Sequence, residues 1–160
     1  MEIHFSYEKK LVIQALRYHF ISRPEIKILL VVVNVFAIIA AGLFFFKKVS
    51  PVAFLVSSLL WIILVIAFWF ILPNTVYKRA STFKDSFTMT FKEHHVLLEN
   101  GRGHMEWSWK NFSHFVESPH FFHLYFDSRS FFLVPKSAVE NDDQRNQLRT
   151  LLKDKIGYKK

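Results

Sequence analysis

The chain has 160 residues, with 21 Lys and Arg against 13 Asp and Glu for a formal charge of +8, 51% hydrophobic residues, 18% aromatic residues and no cysteine. Without cysteine it has neither disulfides nor thiolate metal sites. From Asn74 onward 14 basic and 10 acidic residues are mixed along the sequence, while the basic excess gathers beside two apolar runs, a distribution that excludes a nucleic-acid groove and marks membrane flanks.

Ile3-His4-Phe5-Ser6-Tyr7 alternates with the period of a strand. From Glu8 the period becomes helical, with Leu11, Val12, Ala15, Leu16 and Phe20 on one stripe and an end near Pro24. Lys9, Lys10, Arg17 and Arg23 take other positions. This helix either lies on an anionic leaflet or docks on a soluble domain, since both bury the same stripe. Residues 1–27 are read as one segment, a short strand and an amphipathic helix.

Two apolar runs follow, Ile28 to Phe46 and Val52 to Leu72, separated by Lys47-Lys48-Val49-Ser50-Pro51, and neither contains Asp, Glu, Lys or Arg. At about 1.5 Å per residue each reaches roughly 30 Å, the thickness of a hydrocarbon core. In the first run 14 of 19 residues are Ile, Leu, Val or Phe. Each favours insertion by roughly 0.3 to 0.6 kcal/mol, so the sum exceeds the cost of Asn34, the one strongly polar side chain of that run. Ser57 and Ser58 in the second run are the candidate partners for a bond from Asn34 across the hairpin. Ala40-Ala41-Gly42 has the small residues of a signal cleavage site, but the run is long for a signal core and a second span follows at once.

Residues 28–72 are therefore read as a transmembrane hairpin, spanning at 28–46 and 52–72. Five Lys and Arg precede it, four fall within about 20 residues after it and two lie in the connecting loop, which predicts cytoplasmic termini. Arg23, Lys27, Lys78 and Arg79 become membrane-proximal cations, placed for anionic lipid headgroups.

Residues 74–160 form the soluble tail. In Ser86 to Phe91 the side chains Phe87, Met89 and Phe91 share one face. Val96 to Glu99 and His104 to Trp109 are the next strands, joined by Asn100-Gly101-Arg102-Gly103 as a hairpin turn, with Met105, Trp107 and Trp109 expected to face inward. Phe112 to Glu117, Phe121 to Phe126 and Phe131 to Val134 continue the meander to six strands. Asn141-Asp142-Asp143 starts a helix with Leu148, Leu151, Leu152 and Ile156 on one side, ended by Gly157. The fold class is α+β: a transmembrane helical hairpin plus a small antiparallel β domain closed by a C-terminal helix, in the outline of a pleckstrin-homology (PH)-like fold.

The order of strand, helix, hairpin and tail, with Trp109-Lys110-Asn111-Phe112, Val134-Pro135-Lys136 and a closing helix, resembles the YcxB-like family over nearly the whole chain. In that family a strand-ending Trp is followed by an apolar residue three positions on, and a late strand ends in apolar-Pro-Lys. Trp109 with Phe112, and Val134 with Pro135 and Lys136, match these positions. Ser137-Ala138-Val139 departs from the family's Arg-Ala-Phe. The resemblance implies a PH-like C-terminal domain in a bacterial inner-membrane protein and supplies a fold rather than a mechanism.

Eight histidines invite a metal reading, but His94-His95 and the set His114, His120 and His123 match no ligand spacing and read as residues of a solvated or partly buried sheet face. Ser81-Thr82-Phe83-Lys84 is a chance Ser-x-x-Lys match. No cofactor is expected. Lys136 and Arg102 are the candidate interaction residues, and a non-enzymatic module that binds a protein, a headgroup or another copy of itself is the leading reading. Its alternatives are a small membrane enzyme with an interfacial polar site at His19, Asn34 and Tyr77, and a membrane immunity or stress-response protein.

Overall fold

The structure, a computed structural model, describes residues 1–157; the last three residues of the tail lie outside the described residues. It consists of two compact units, one formed by Met1–Ala15 with the tail from Ala80 and the other by Leu16–Arg79.

The first unit is α+β. Its strands are β1 (Glu2–Ser6), β2 (Ser86–Phe91), β3 (His95–Asn100), β4 (Gly103–Ser108), β5 (His114–Glu117), β6 (Phe121–Tyr125) and β7 (Phe131–Pro135). All pairings are antiparallel, in a four-stranded sheet ordered β1-β2-β3-β4 and a three-stranded sheet ordered β5-β6-β7. The strand spans follow the period-2 reading closely, and β2 buries Phe87, Met89 and Phe91 as that reading requires.

Three expectations change. The N-terminal strand is not set apart with residues 1–27: β1 is an edge of the tail's sheet, with Ile3 opposite Met89 and Phe5 opposite Phe87. The meander is not continuous, because Trp109–Asn111 form a 3-10 turn that separates β4 from β5. The two sheets remain separate and unclosed. Finally, β6 is central in its sheet and buried on both faces, so His123 is fully buried where an at least partly solvated face was expected. Its Nε2 lies 2.9 Å from Ser118 Oγ, which satisfies a polar group removed from water.

One core joins both sheets to helix α5 (Asp142–Lys155): Phe5, Phe87, Phe91, Val96, Trp109, Phe115, Phe122, Val134, Leu148 and Leu152 belong to the same buried cluster. Asn141 caps α5 by accepting from Gln144 N (2.8 Å). Gly157 ends the helix at φ 82, a left-handed conformation that a side chain would strain, and its carbonyl accepts from Phe115 N at the start of β5 (3.1 Å). Tyr7 OH donates to Leu133 O (2.6 Å), tying the end of β1 to β7. Burial pushes the Tyr7 phenol well above its ordinary range.

Helix α1 (Lys9–Ser22) runs from the first unit into the second, with Val12, Ala15 and Leu16 of its apolar stripe buried. The second unit is dominated by a helical hairpin. α2 (Pro24–Phe45) starts with Pro at its first position, where a missing N–H costs nothing. The chain turns over at Lys47 (φ 57), and α3 (Pro51–Ile66) begins with Ser50 Oγ accepting from Ala53 N (3.3 Å). A π-helical segment, Ala67–Ile71, carries α3 into α4 (Leu72–Arg79). The apolar helices thus outrun the expected spans, from Pro24 and through Pro73 to Arg79, and measure 22 and 29 residues. Phe44 and Phe54 stack near the turn with centroids 4.5 Å apart.

Candidate functional site

Lys136 follows β7 directly, which aims its side chain back over the sheet. Its Nζ lies 2.7 Å from Glu117 Oε1 and 5.5 Å from the centre of the Phe122 ring, and the Lys136 and Glu117 side chains are each only 17% exposed. From α5, Arg149 grips the same carboxylate with two donors, Nε to Oε2 at 2.8 Å and Nη2 to Oε1 at 2.7 Å. The Arg149 bonds, helped by Lys136, hold the Glu117 carboxyl down to about 2 against the cost of burial. Lys136 is therefore half of an internal clamp between β5, the segment after β7 and α5. An exposed interaction cation was the sequence expectation. Glu117 and Arg149 carry no local signal that links them to Lys136; only the fold brings the three together.

The other motif residues are equally internal. Trp109 is buried, donates from Nε1 to Lys92 O (3.0 Å) and lies stacked 6.2 Å from Phe91. Phe112 is buried against Phe126, stacked at 4.8 Å. Val134 and Pro135 are buried in β7. The Trp and Pro-Lys motifs hold the two sheets and α5 together.

Arg102 is placed differently. It sits in the two-residue turn between β3 and β4, where Asn100 Oδ1 accepts from its backbone N (2.9 Å), and its guanidinium reaches Asp85 Oδ1 at 3.0 Å while remaining mostly exposed. This pair stands on the rim of an open groove of about 390 Å³, with Phe87, Leu98, Met105, Trp107 and Phe132 forming its apolar side and Ser81, Thr82 and His104 sharing the rim. Met105 lies opposite buried Leu98, on the core face of the sheet, yet is 54% exposed. The inward-facing expectation fails for Met105 because the sheets do not close over this end. Among the described residues β4 pairs only with β3, so its outer edge presents unpaired main-chain groups beside the groove.

In the hairpin, Asn34 does not bond to Ser57 or Ser58. Its Nδ2 donates to Leu30 O of its own helix (2.7 Å), and Ser57 Oγ likewise donates to Phe54 O (2.9 Å). Ser57 and Ser58 instead line an apolar groove of about 680 Å³ with Ala37, Ala40 and Trp61. Back-bonding to the preceding turn engages one donor of such a side chain locally, so helical geometry competes with the cross-helix pairing.

A polar cluster that the sequence did not announce surrounds the π segment. Pro73 brings no N–H for Trp69 O, the carbonyl four residues earlier, and Arg17 Nε donates to it at 2.9 Å with its guanidinium 5.0 Å from the centre of the Trp69 ring. The next two carbonyls, Phe70 O and Ile71 O, accept from Asn74 Nδ2 and Thr75 Oγ1, each at 2.8 Å. Three consecutive carbonyls thus receive side-chain donors where the helix widens. Pro73 and the polar pair after it were the available signals.

Lys27, Lys78 and Arg79 are exposed, and Arg23 Nε stands 3.7 Å from Glu25 Oε2. All four lie at the hairpin end away from the Lys47 turn. His19 of α1 is held down to about 4 by burial and by the charge of Arg23, so it is neutral at neutral pH. Among the described residues no group of three His, Asp or Glu is placed to hold a metal ion.

An antiparallel β domain with an internal Glu-Lys-Arg clamp, joined to an apolar helical hairpin, is the class of protein these features define. The family model of YcxB-like proteins matches residues 91–152, from the end of β2 into α5, and takes in Trp109, Phe112 and Val134-Pro135-Lys136. The chain is similar to that family over this stretch; β1 and the hairpin lie outside the match, which is narrower than the whole-chain resemblance read from the element order. No curated protein and no solved structure matches the chain.

Proposed function

We propose that the chain is a non-enzymatic, membrane-anchored interaction module. The hairpin crosses the bacterial inner membrane twice, and a PH-like domain stands on the cytoplasmic face. The observation that carries this reading is the uncovered apolar surface of the hairpin: its helices of 22 and 29 residues reach roughly 33 and 43 Å, and none of the apolar window in either is buried. Lipid is the solvent that such a surface requires. The exposed cations at the open end of the hairpin favour the anionic cytoplasmic leaflet, where each contributes about 1 kcal/mol.

The contact surface is the groove beside β4. Its volume lies within the range of ligand pockets, its floor is apolar, and the adjoining strand edge offers main-chain donors and acceptors. That combination suits an extended segment of a protein partner, which adds to β4 as a strand and places an apolar side chain against Met105 and Trp107. Lys136 is excluded from this role by its clamp to Glu117.

A photo-crosslinker placed at Met105 in the full-length chain, activated in native membranes, tests the reading. A protein adduct formed at Met105 and not from the exposed turn residue Glu93 is the expected result. Equal adducts at both positions, or none at Met105 while the protein stays in the membrane fraction, would remove the groove as the contact surface.

A further inference from the structure

Asn34 stands at the midpoint of α2, between Pro24 and Phe45, and its side chain is exposed. At that depth in a bilayer water does not reach it, and an amide left in hydrocarbon is costly. The bond from Nδ2 to Leu30 O uses one of its two donors. Among the described residues no group donates to Oδ1. The serines of α3 do not supply the missing contact: Ser57 donates to Phe54 O of its own helix, and Ser58 lines a groove with Ala37 and Ala40 rather than with Asn34.

The surroundings of Asn34 form a seam. Val31, Asn34, Ile38, Ala41 and Phe45 recur at alternating spacings of three and four along α2. Val31 is 62%, Ile38 72% and Phe45 81% exposed, so α3 leaves these positions open, while Ala41 borders the groove that α2 shares with α3. The spacing is that of a coiled-coil seam, in which a single central Asn sets register and partner number.

We infer that α2 pairs with α2 of a second copy of this chain along this seam, each Asn34 amide donating to the other's Oδ1. A second copy is the occupant that the chemistry selects. Every copy inserts with the same orientation, so a two-fold axis along the membrane normal brings Asn34 to Asn34 at one depth, and an amide carries both the donor and the acceptor that such a self-complementary contact needs. Ala41 permits close approach of the two backbones. The inference rests on the membrane-anchor reading above.

The chain has no cysteine, so single-cysteine crosslinking of the full-length protein in native membranes is unambiguous. Ile38→Cys lies on the seam, and Ile39→Cys lies on an exposed face turned away from both the seam and α3. Mild oxidation is expected to give a disulfide dimer from Ile38→Cys and little from Ile39→Cys. Adding Asn34→Leu should lower the dimer about five-fold, while Asn34→Gln should largely preserve it, consistent with the modest strength of intramembrane polar pairs. Equal crosslinking from both positions, an adduct of Ile38→Cys with a different protein, or a dimer indifferent to Asn34→Leu overturns the inference. Alkaline carbonate extraction of the same membranes separates the two levels. Protein retained in the bilayer as a monomer removes the dimer alone, and protein released by carbonate removes the anchor reading with it.

Discussion

The β domain and the hairpin spend their apolar residues in opposite ways. In the domain Phe115, Phe122, Val134, Leu148 and Leu152 disappear into one core, and its clamped carboxylate is matched by two cations. In the hairpin no residue of α2 or α3 is buried, and the polar groups turn to their own helices. Each part therefore obtains its stability from a different source. The domain is held by side chains packed against one another, whereas the hairpin is held by main-chain hydrogen bonds and by whatever surrounds it.

Truncating large aromatics in the two regions gives the sharpest contrast. Phe122→Ala removes a fully buried ring and should destabilise the domain by about 3–5 kcal/mol, whereas Phe36→Ala on the exposed side of α2 should leave domain unfolding within about 0.5 kcal/mol of the parent. Urea titration of the full-length protein in detergent, followed by tryptophan fluorescence, measures both. Comparable losses would erase the distinction.

The clamp comes next in size. Glu117→Gln removes a carboxylate gripped by Lys136 and Arg149 and should cost roughly 2–3 kcal/mol at neutral pH. Its pH dependence has a definite sign. The folded carboxyl titrates at about 2 against an ordinary value of 4.5, so its contribution is complete above about pH 5 and fades as pH falls towards 2. Urea midpoints collected from pH 6 to pH 2 should show this loss in the parent and a shallower one in Glu117→Gln. Parallel curves would mean that the clamp contributes nothing.

Trp109→Phe keeps most of the buried ring but deletes the bond to Lys92 O, for an expected cost of about 1–2 kcal/mol. The smallest change is Arg102→Ala. Arg102 is 70% exposed in its pair with the less exposed Asp85, and thermal unfolding should move by no more than about 0.5 kcal/mol. A partner bound at the groove would make Arg102→Ala matter for binding while it remains silent in folding.

Much of this division is legible in the residues themselves. The alternation of Phe87, Met89 and Phe91, the helical spacing of Leu148 and Leu152 with Asn141 before them, and two charge-free apolar runs each encode a local period that one element satisfies alone. What escapes such reading is pairing across distance. Nothing near Ile3 and Phe5 names Met89 and Phe87 as their partners, and nothing near Lys136 names Glu117. The exposure of Met105 depends on a sheet that fails to close after Trp109–Asn111. In the hairpin, Arg17 finds Trp69 O because Pro73 lacks a donor, a consequence of helix geometry that hydropathy does not register. Of the candidate groove, the sequence marks Arg102 as an interaction residue but assigns Met105 and Trp107 to the core.

In the proposed topology the hairpin crosses a membrane twice and leaves both soluble parts on the cytoplasmic side. Single cysteines at Lys48 and at Arg102, probed in intact spheroplasts with a membrane-impermeant maleimide, test it directly. Lys48→Cys should be labelled at once and Arg102→Cys only after the membrane is opened. Labelling of Arg102→Cys in intact cells with protection of Lys48→Cys would reverse the topology, and equal access at both positions without permeabilisation would contradict the membrane-spanning hairpin itself.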